Sequence, residues 1–441
     1  MEGLVMTAQL LLGLSILVGL HEAGHMLTAK MFGMRVEKFF IGFPPKIIGF
    51  KYGETEYGLG ALPLGGFVKI TGMIDESLDT EQMNSKPEPW EFRAKPAWQR
   101  LIVMLGGIFV NVVTGIIIFI AMVYFIGESY IPAKEANKYG VYVSKLGEEI
   151  GLQTGDKIIA INGNTVERFE DLRNPKYLLE NQSYYTVLRA GQEIKVPIPS
   201  NFLDKLSDKE NSGNFIEPLF TFVVGEVADG MPAKKAGLQT GDKIVEIGGS
   251  PIVYFQDLRT VLQDNKGKTV DVKVERKGES QILKIEVGED GIIGFRPESS
   301  LAPATAQYSL LSSIPRGTVN AFEVVGTQVK AFGKIFKGEV SATKSLSGPI
   351  GIAKVFGGTW DWIRFWTITG MLSMVLAFMN LLPIPALDGG HVVFITYEII
   401  SGRAPSDRFL ENAQKVGMVI LLGLMVFAFG NDIYKLVESY L

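Results

Sequence analysis

Residues 101–127 read LIVMLGGIFVNVVTGIIIFIAMVYFIG, a run without one charged side chain. A helix rises about 1.5 Å per residue, so a run of this length can cross the hydrocarbon core of a bilayer, which is about 30 Å thick. A helix of a soluble protein would carry charges on its water-facing side. This stretch therefore predicts a membrane-spanning helix and decides the fold class.

Three other apolar blocks lie along the chain. Leu4–Leu20 is free of ionisable residues, and Phe365–Leu387 repeats the uncharged pattern. Val416–Asn431 is shorter than the span of about 20 residues that usually crosses a bilayer, so it requires tilt or snorkelling by Lys415, and an interfacial helix is the alternative. We expect four transmembrane helices.

The overall composition excludes several classes of protein. The 441 residues contain 43 basic and 47 acidic side chains, and the net charge of −4 argues against a nucleic-acid-binding protein. The absence of cysteine excludes disulfides and thiolate metal sites, which leaves His, Asp and Glu as metal ligands. We expect the first apolar block to be retained, because Glu2 precedes it where a signal peptide has a basic cluster.

Basic side chains near the spans predict the orientation of the chain, since they are enriched in cytoplasmic connections. We expect the connections at 31–100 and 391–413 in the cytoplasm, and both termini and the segment from 128 to about 360 outside. The basic residues concerned are Lys30, Arg35, Lys38, Lys46, Arg93, Lys95, Arg100, Arg403, Arg408 and Lys415.

The outer segment contains an internal repeat. Gly151–Gly163 (GLQTGDKIIAING) and Gly237–Gly249 (GLQTGDKIVEIGG) share ten of thirteen residues at an offset of 86. At the same offset, Phe169–Arg173 (FEDLR) recurs as Phe255–Arg259 (FQDLR). Two copies of one small β-rich domain are the simplest explanation.

His21, Glu22 and His25 form a His-Glu-x-x-His pattern at the far end of the first span. On a helix this spacing places both imidazoles on one face, one turn apart, where they can share a Zn²⁺ ion. Glu22 flanks that face and suits a general base toward water whose pKa the metal lowers. Because ionisable side chains inside a membrane are costly and usually functional, a metal site is favoured over structural histidines.

A catalytic zinc usually has three protein ligands, so the pattern is one ligand short. Asp388 is the candidate, because it ends the third predicted span on the side where His25 lies, at a similar depth. His391 is a rival ligand, although its position three residues later favours a role in orienting the site.

Asn380, Pro383 and Pro385 precede Asp388 in the sequence. The prolines break the helix and free backbone groups, which are tolerated at membrane depth only where they face protein or a watery cavity. Such a cavity suits hydrolysis. Asn380 suits donation to a substrate backbone or a developing oxyanion, and a hydrogen bond between helices is an equal alternative.

Taken together, these motifs resemble the site-2 proteases, a family of zinc intramembrane metalloproteases, and most closely the RseP-type branch with two PDZ domains between its second and third spans. The resemblance covers nearly the whole chain. One departure lies in the second span, where the family often has Gly-Pro a few residues before an asparagine, whereas here Gly106–Ile108 (GGI) precedes the matching Asn111 without the proline. The matching segments are His21–His25, Gly33–Phe43, Leu62–Lys69, Gly348–Ile352 and Asn380–His391.

The resemblance implies that His21, His25 and Asp388 bind zinc, with Glu22 as the base, and that the enzyme hydrolyses peptide bonds inside transmembrane segments. It implies single-span substrates already trimmed outside the membrane, such as an anti-sigma factor, or remnant signal peptides. It also implies a bacterial inner (plasma) membrane, with the site near the cytoplasmic side. We assign Asn380 to catalysis, and to substrate contact Gly65, Gly66, Asn111, Pro383 and Pro385.

Each repeat copy resembles a bacterial PDZ domain. The second copy has the fuller pattern with Pro232 and Ala233, whereas the first lacks the equivalent two residues. Peptide binding by strand addition and steric exclusion of untrimmed substrates are both open. In the family, the β-rich connection forms a membrane-associated sheet whose edge could hold an unwound substrate, and an ordinary hairpin is the alternative.

The expected fold is a polytopic α-helical membrane protein with four transmembrane helices, a membrane-associated β-sheet region and two extracytoplasmic PDZ-like α+β domains. We expect the first transmembrane helix at 1–30, the β-rich connection at 31–100, the second helix at 101–127, the PDZ-like domains at 128–210 and 211–298, an amphipathic region at 299–360, the third helix at 361–390, a cytoplasmic connection at 391–413 and the fourth helix at 414–441.

Two other classes of protein compete with an enzyme. A catalytically idle scaffold could hold partners through its PDZ copies around a structural metal, but a scaffold needs no carboxylate beside a metal, and Glu22 is present. A transporter is a weaker alternative, because the spans lack paired repeats with broken helices in both halves.

Overall fold

The computed structural model describes residues 2–73, 86–174, 178, 182–199, 202, 215–336 and 348–438. The chain divides into two compact units. One comprises Met1–Gly127 with Gln307–Leu441, and the other comprises Glu128–Ala306.

The first unit is mainly helical. Its helices are α1 (Glu2–Met31), α2 (Ala97–Phe125), α3 (Leu310–Phe336), α4 (Pro349–Phe356), α5 (Trp362–Leu381), α6 (Asp388–Ser401) and α7 (Asp407–Glu438), with a short 3-10 turn at Phe92–Ala94. Within the described part of the chain, α1, α2, α5 and α7 are long and apolar enough to cross a membrane. Each of the four predicted spans thus overlaps one of these helices.

The last span is longer than its apolar run suggested. The candidate spanning segment of α7 is Arg408–Tyr434, 27 residues, because the helix continues through polar flanking residues. Glu411 and Lys415 form an ion pair of 2.6 Å one turn apart, which stabilises the polar start of the helix. Helix α7 is therefore long enough to cross a membrane, while its uncharged run between Lys415 and Asp432 stays as short as the sequence indicated.

The third span ends earlier than predicted. Helix α5 stops at Leu381, and Asp388 begins the separate helix α6. Pro383 and Pro385 lie in the break, where each lacks the N–H that a continuing helix would use. Two expected segments need correction: 361–390 is not one helix, and 391–413, expected as a connection, is helical up to Ser401.

Helices α1 and α2 approach closely at two glycines. A Cβ atom at Gly24 would meet the carbonyl group of Gly106, and one at Gly106 would lie 2.7 Å from the Gly24 carbonyl oxygen. Small residues permit such backbone contact between apolar helices. This crossing lies directly beside His25 and brings α2 against the histidine pattern.

The β-rich connection forms strands β1 (Val36–Tyr52) and β2 (Thr55–Ile70), which fold back on each other. Phe39 of β1 lies opposite Tyr57 on one side and opposite Val68 on the other, while Phe50 also pairs with Tyr57. The sheet therefore has four segments in the order 46–52, 55–60, 36–43 and 62–70; the two outer pairs run antiparallel, and the register of the central pair, 55–60 with 36–43, runs in the same direction. The segment 62–70 lies at an edge, against α1.

The amphipathic region forms two helices. Helix α3 packs on α2 where Gly317 contacts Ile120, and leaves Leu311 exposed. Helix α4 begins at Gly348, where the carboxylate of Asp432 on α7 accepts hydrogen bonds from three backbone N–H groups at 2.9–3.0 Å. Part of this region, 337–347, lies outside the described residues.

The second unit is built from fourteen short strands in its described residues. In chain order they are β3 (Glu128–Tyr130), β4 (Val141–Val143), β5 (Lys157–Ile161), β6 (Asn164–Thr165), β7 (Tyr184–Arg189), β8 (Gln192–Pro197), β9 (Ile216–Pro218), β10 (Phe222–Val227), β11 (Lys243–Ile247), β12 (Ser250–Pro251), β13 (Thr269–Arg276), β14 (Glu279–Glu286), β15 (Phe295–Ser299) and β16 (Ala304–Ala306). The helical segments are Ala133–Ala136, Lys145–Glu149, Phe169–Arg173, Pro232–Lys235 and Phe255–Asp264.

Two four-stranded sheets of this unit share one strand order, β6-β5-β7-β8 and β12-β11-β13-β14. Each covers its own apolar core. In each, a buried aspartate binds an arginine through both carboxylate oxygens, Asp156 with Arg189 at 2.7 Å and Asp242 with Arg276 at 2.6–2.7 Å. The repeated GLQTGD sequence supplies both aspartates.

The first of these cores extends beyond the predicted boundary at 210. Strand β9 pairs with β4, and Ile216 is fully buried in that core. The helix Phe255–Asp264 then contacts β9, because Arg259 pairs with Glu217 at 3.0 Å and Gln256 donates to the Pro218 carbonyl at 2.9 Å. The two cores are therefore joined by direct polar contacts.

Candidate active site

His21 and His25 lie one turn apart on α1, and both are buried. Their ring centroids are 4.7 Å apart with the planes nearly perpendicular, and their Nε2 atoms are 3.1 Å apart. The rings therefore direct the same nitrogen atom to one point, as the sequence spacing predicted.

Asp388 reaches this point from the start of α6. Its Oδ2 lies 3.1 Å from Nε2 of His21 and 3.3 Å from Nε2 of His25. The atom is buried and has no hydrogen-bond partner among the described residues. The break after α5 makes this approach possible, because it allows Asp388 to start a new helix beside α1.

The three side chains fit a zinc ion. Their ligand atoms lie within 4.8 Å of one another. Atoms bound tetrahedrally at the usual zinc distances lie about 3.3 Å apart, close to the separations that His21, His25 and Asp388 show. Two imidazoles and one carboxylate also match the ligand sets of catalytic zinc, and the otherwise unpaired Oδ2 of Asp388 gains a partner when zinc binds.

The Nδ1 atom of each histidine makes a polar contact that orients its ring. Nδ1 of His25 lies 2.8 Å from the Val103 carbonyl oxygen. Because that oxygen can only accept a hydrogen bond, Nδ1 carries the proton and donates, and Nε2 is left free for a metal. Nδ1 of His21 lies 3.2 Å from the side-chain amide of Asn111, whose Oδ1 has no partner among the described residues. Rotating the Asn111 amide by 180° places Oδ1 where it accepts a hydrogen bond from Nδ1–H of His21. Nε2 of His21 is then free to bind a metal, as in His25.

A cavity of about 460 Å³ opens beside the cluster. Apolar side chains from several elements line much of it, including Val18, Met104, Leu376 and Leu387, and its size suits a short peptide segment. The polar side chains facing it are His21, Glu22, His25, Asn111, Asn380, Asp388, His391 and Gln414.

Glu22 lies between the histidines and the edge of the sheet. The backbone N–H of Val68 on β2 faces its carboxylate, and Gly66 of the same strand lies close to its side chain. The amide of Asn380 is on the other side of the cluster, with Nδ2 at 3.3 Å from Nε2 of His21. An acid–base group and a hydrogen-bond donor therefore border the same small space.

The structure brings most of the sequence-predicted residues together. Gly65 and Gly66 line the cavity, whereas Pro383 and Pro385 are outside its lining. The prolines act on the backbone instead, since they separate α5 from α6. His391 lines the cavity but is not part of the close cluster of His21, His25 and Asp388 found among the described residues.

Several contributing residues were missed in the sequence. Gly107 of α2 is in close contact with both imidazoles, Val103 contributes only its carbonyl oxygen, and Gln414 reaches the cavity from α7. Contacts made by backbone atoms leave no mark in residue type. Gln414, however, stands at the edge of an apolar run, and this amide could have been noticed.

Known proteins match nearly the entire chain. The model of peptidase family M50 matches residues 9–424. The chain is 28% identical to a Regulator of sigma E protease from Haemophilus influenzae, to Regulator of sigma-E protease RseP from Escherichia coli, and to a Pasteurella multocida protein named as a zinc metalloprotease. Each alignment covers 97% of this chain and 98% of the relative. This agrees with the resemblance seen in the sequence, and the chain belongs to peptidase family M50, the site-2 proteases, and is a zinc metallopeptidase.

Proposed function

We propose that this zinc metallopeptidase is an endopeptidase that cleaves peptide bonds inside the transmembrane segments of single-span membrane proteins. The observation that carries the proposal is the convergence of Asp388, at the start of α6, with His21 and His25 on α1, an otherwise apolar helix of spanning length. Ionisable groups at membrane depth are costly and usually mark a functional site.

In this proposal His21, His25 and Asp388 hold the zinc ion. Bound there, zinc polarises the scissile carbonyl group and makes water more acidic. Glu22 accepts the proton of the attacking water and passes it to the nitrogen of the leaving amine. Asn380 donates a hydrogen bond to the carbonyl oxygen as negative charge develops on it. The surrounding helices limit the access of bulk water and strengthen these interactions.

The edge of the sheet gives the substrate its conformation. A transmembrane helix hides its peptide groups in internal hydrogen bonds, so it must be unwound before hydrolysis. Among the described residues, no strand pairs with the outer edge of the segment 62–70, and the Val68 N–H faces Glu22. A substrate that pairs with this edge as an added strand exposes its peptide bond to Glu22. Gly66 permits this edge to lie close to Val18 of α1, and Gly65 leaves room for the ring of Phe43, so neither residue places a bulky side chain on the segment.

The substrates belong to one class in this proposal. They are single-span proteins trimmed outside the membrane beforehand, such as an anti-sigma factor, or remnant signal peptides. The names of the relatives as regulators of sigma-E protease support this choice. The enzyme lies in the bacterial inner membrane with the site near the cytoplasmic side and both termini outside, as the basic residues of the connections favour.

The second unit forms two PDZ-like domains in this proposal, one around each four-stranded sheet. They lie outside the membrane and act before cleavage, either by excluding substrates with bulky outer domains or by binding a trimmed end. The polar contacts of Arg259 and Gln256 with β9 support their action as a pair.

The test is cleavage of a single-span substrate by the purified, detergent-solubilised chain and by Glu22→Gln, with zinc content measured for both. We expect both proteins to bind zinc and only the native one to cleave. If neither cleaves a trimmed substrate while both bind zinc and hold partners through the second unit, the chain is a scaffold and the proposal fails.

A further inference from the structure

Gln414 is a buried amide in a helix that is otherwise largely exposed. Its side chain is only 3% exposed, whereas Val416 and Val419 nearby are more than half exposed, as expected for residues that face lipid. Gln414 lines the cavity together with Asp388 and Asn380. A polar side chain that points inward from an apolar helix is a candidate for function.

The position of α7 fixes the direction of this side chain. Gly417, one turn after Gln414, is in direct contact with the backbone of Pro385. At the other end of the helix, Asp432 accepts the three hydrogen bonds from the start of α4. Because both ends of α7 are attached in this way, Gln414 is held on the face that meets the break before Asp388.

The amide of Gln414 lacks a protein partner. Among the residues that the structure describes, none forms a hydrogen bond with its side chain. The amide borders the cavity and is open to it rather than enclosed by protein atoms. The group is therefore prepared for a partner that enters the cavity.

We propose that Gln414 binds a peptide group of the unwound substrate, an inference that rests on the proposed function. Its Nε2 donates to a substrate carbonyl oxygen and its Oε1 accepts from a substrate N–H, since a glutamine side chain carries both kinds of atom. Gln414 is a substrate-positioning residue in this role, separate from the groups that exchange protons.

The partner is the substrate backbone rather than a polar substrate side chain. An extended peptide presents hydrogen-bonding groups along both edges, and pairing with the segment 62–70 satisfies only one of them. The other edge would remain unpaired in a site largely closed to water. The apolar lining by Leu376 and Leu387 suits the apolar side chains of a membrane segment, so the substrate backbone is what requires a polar partner.

The experiment compares the full-length protein with Gln414→Met, which has a similar size but forms no strong hydrogen bond. The probe is a synthetic single-span peptide with a fluorescent label. Its affinity is measured in the Glu22→Gln background, so that binding is read without cleavage. We expect an affinity about tenfold lower for the Met variant, as for the loss of one buried hydrogen bond, with an unchanged zinc content. Val419→Met on the exposed face of α7 serves as the matched control.

Ester replacement identifies the bonded group. Peptides that carry a single ester in place of one amide on either side of the cleaved bond lose one N–H each. At one position the ester should weaken binding to the Glu22→Gln protein but not to the protein that also carries Gln414→Met. If Gln414→Met misfolds and loses zinc, Gln414→Ala takes its place in the same comparison. Equal affinities, or ester effects that are the same with and without Gln414, would overturn the inference. If the native protein does not cleave the substrate in the comparison with Glu22→Gln, the proposed function is refuted. The peptide affinities with and without Gln414 can still be measured in that case, so the two failures are distinguishable.

Discussion

Gly107 lies so close to His21 that a Cβ atom at position 107 would be 2.7 Å from Cε1 of the imidazole. The same Cβ would also collide with the ring of His25. In this chain, the absence of a side chain at Gly107 permits α2 to pack directly on the two histidines.

The substitution Gly107→Ala should displace one or both rings. Overpacking of this kind usually costs about 1–3 kcal/mol, so we expect zinc affinity to fall at least about tenfold and activity to fall with it. Competition with a chelator measures the affinity. Gly115→Ala is the matched control, since its new methyl group would press on the side chain of Met374 rather than on an imidazole. Equal zinc affinity in both variants would show that the rings tolerate the contact.

Asn111 gives a second prediction, because its amide contacts Nδ1 of His21. The substitution Asn111→Leu removes the contact and should weaken zinc binding by about 10- to 100-fold, the usual effect of losing a group that orients a ligand. Asn111→Asp keeps an acceptor oxygen and should retain most of the affinity. The opposite order in zinc titrations, with weaker binding by Asn111→Asp than by Asn111→Leu, would contradict acceptance by the Asn111 side chain.

The sequence predicted four apolar helices and the close cluster of His21, His25 and Asp388 for one reason: both predictions depend on residue type at fixed spacing. His21 and His25 are four residues apart on one helix, and uncharged runs mark the spans. Asp388 was also predicted to lie beside the histidines, but the start of a separate helix at Asp388 was not. The two prolines indicate that a helix ends, and they do not indicate the direction in which the chain continues. Contacts that depend on backbone atoms, such as the Val103 carbonyl with His25, have no signature in residue type and emerged only from packing.

Gly66 provides a third prediction, about the sheet edge rather than the metal. A Cβ atom there would lie 2.7 Å from the Phe40 carbonyl oxygen and 2.9 Å from Cγ1 of Val18 on α1. Gly66→Ala should therefore push β2 away from Glu22 and lower kcat/KM by about tenfold, since an overpacked contact costs at least about 1 kcal/mol. Zinc content should not change. The control is Gly423→Ala on α7, which adds a methyl group in open space. Unchanged kinetics for Gly66→Ala would exclude a role of this edge in catalysis.

The ion pair of Asp242 and Arg276 gives a prediction about pH in the second unit. Burial opposes ionisation of Asp242, but the Arg276 guanidinium and the Gln239 N–H outweigh it and hold the pKa of the carboxyl below its usual value. The unfolded carboxyl, with a pKa of about 4, therefore binds a proton more readily than the folded one. The pair contributes its full stability above about pH 4 and loses it as the pH falls toward the folded pKa.

Asp242→Asn should therefore destabilise the β10–β15 core most at neutral pH, and the difference from the native chain should shrink in acid. Hydrogen exchange of residues 222–299 in the full-length protein measures this at pH 7 and pH 3. Lys243→Met is the control, because its ion pair with Glu275, at 3.6 Å, is exposed and should contribute little at either pH. A deficit in Asp242→Asn that is equally large at both pH values would mean that the carboxyl group contributes through packing and not through its charge.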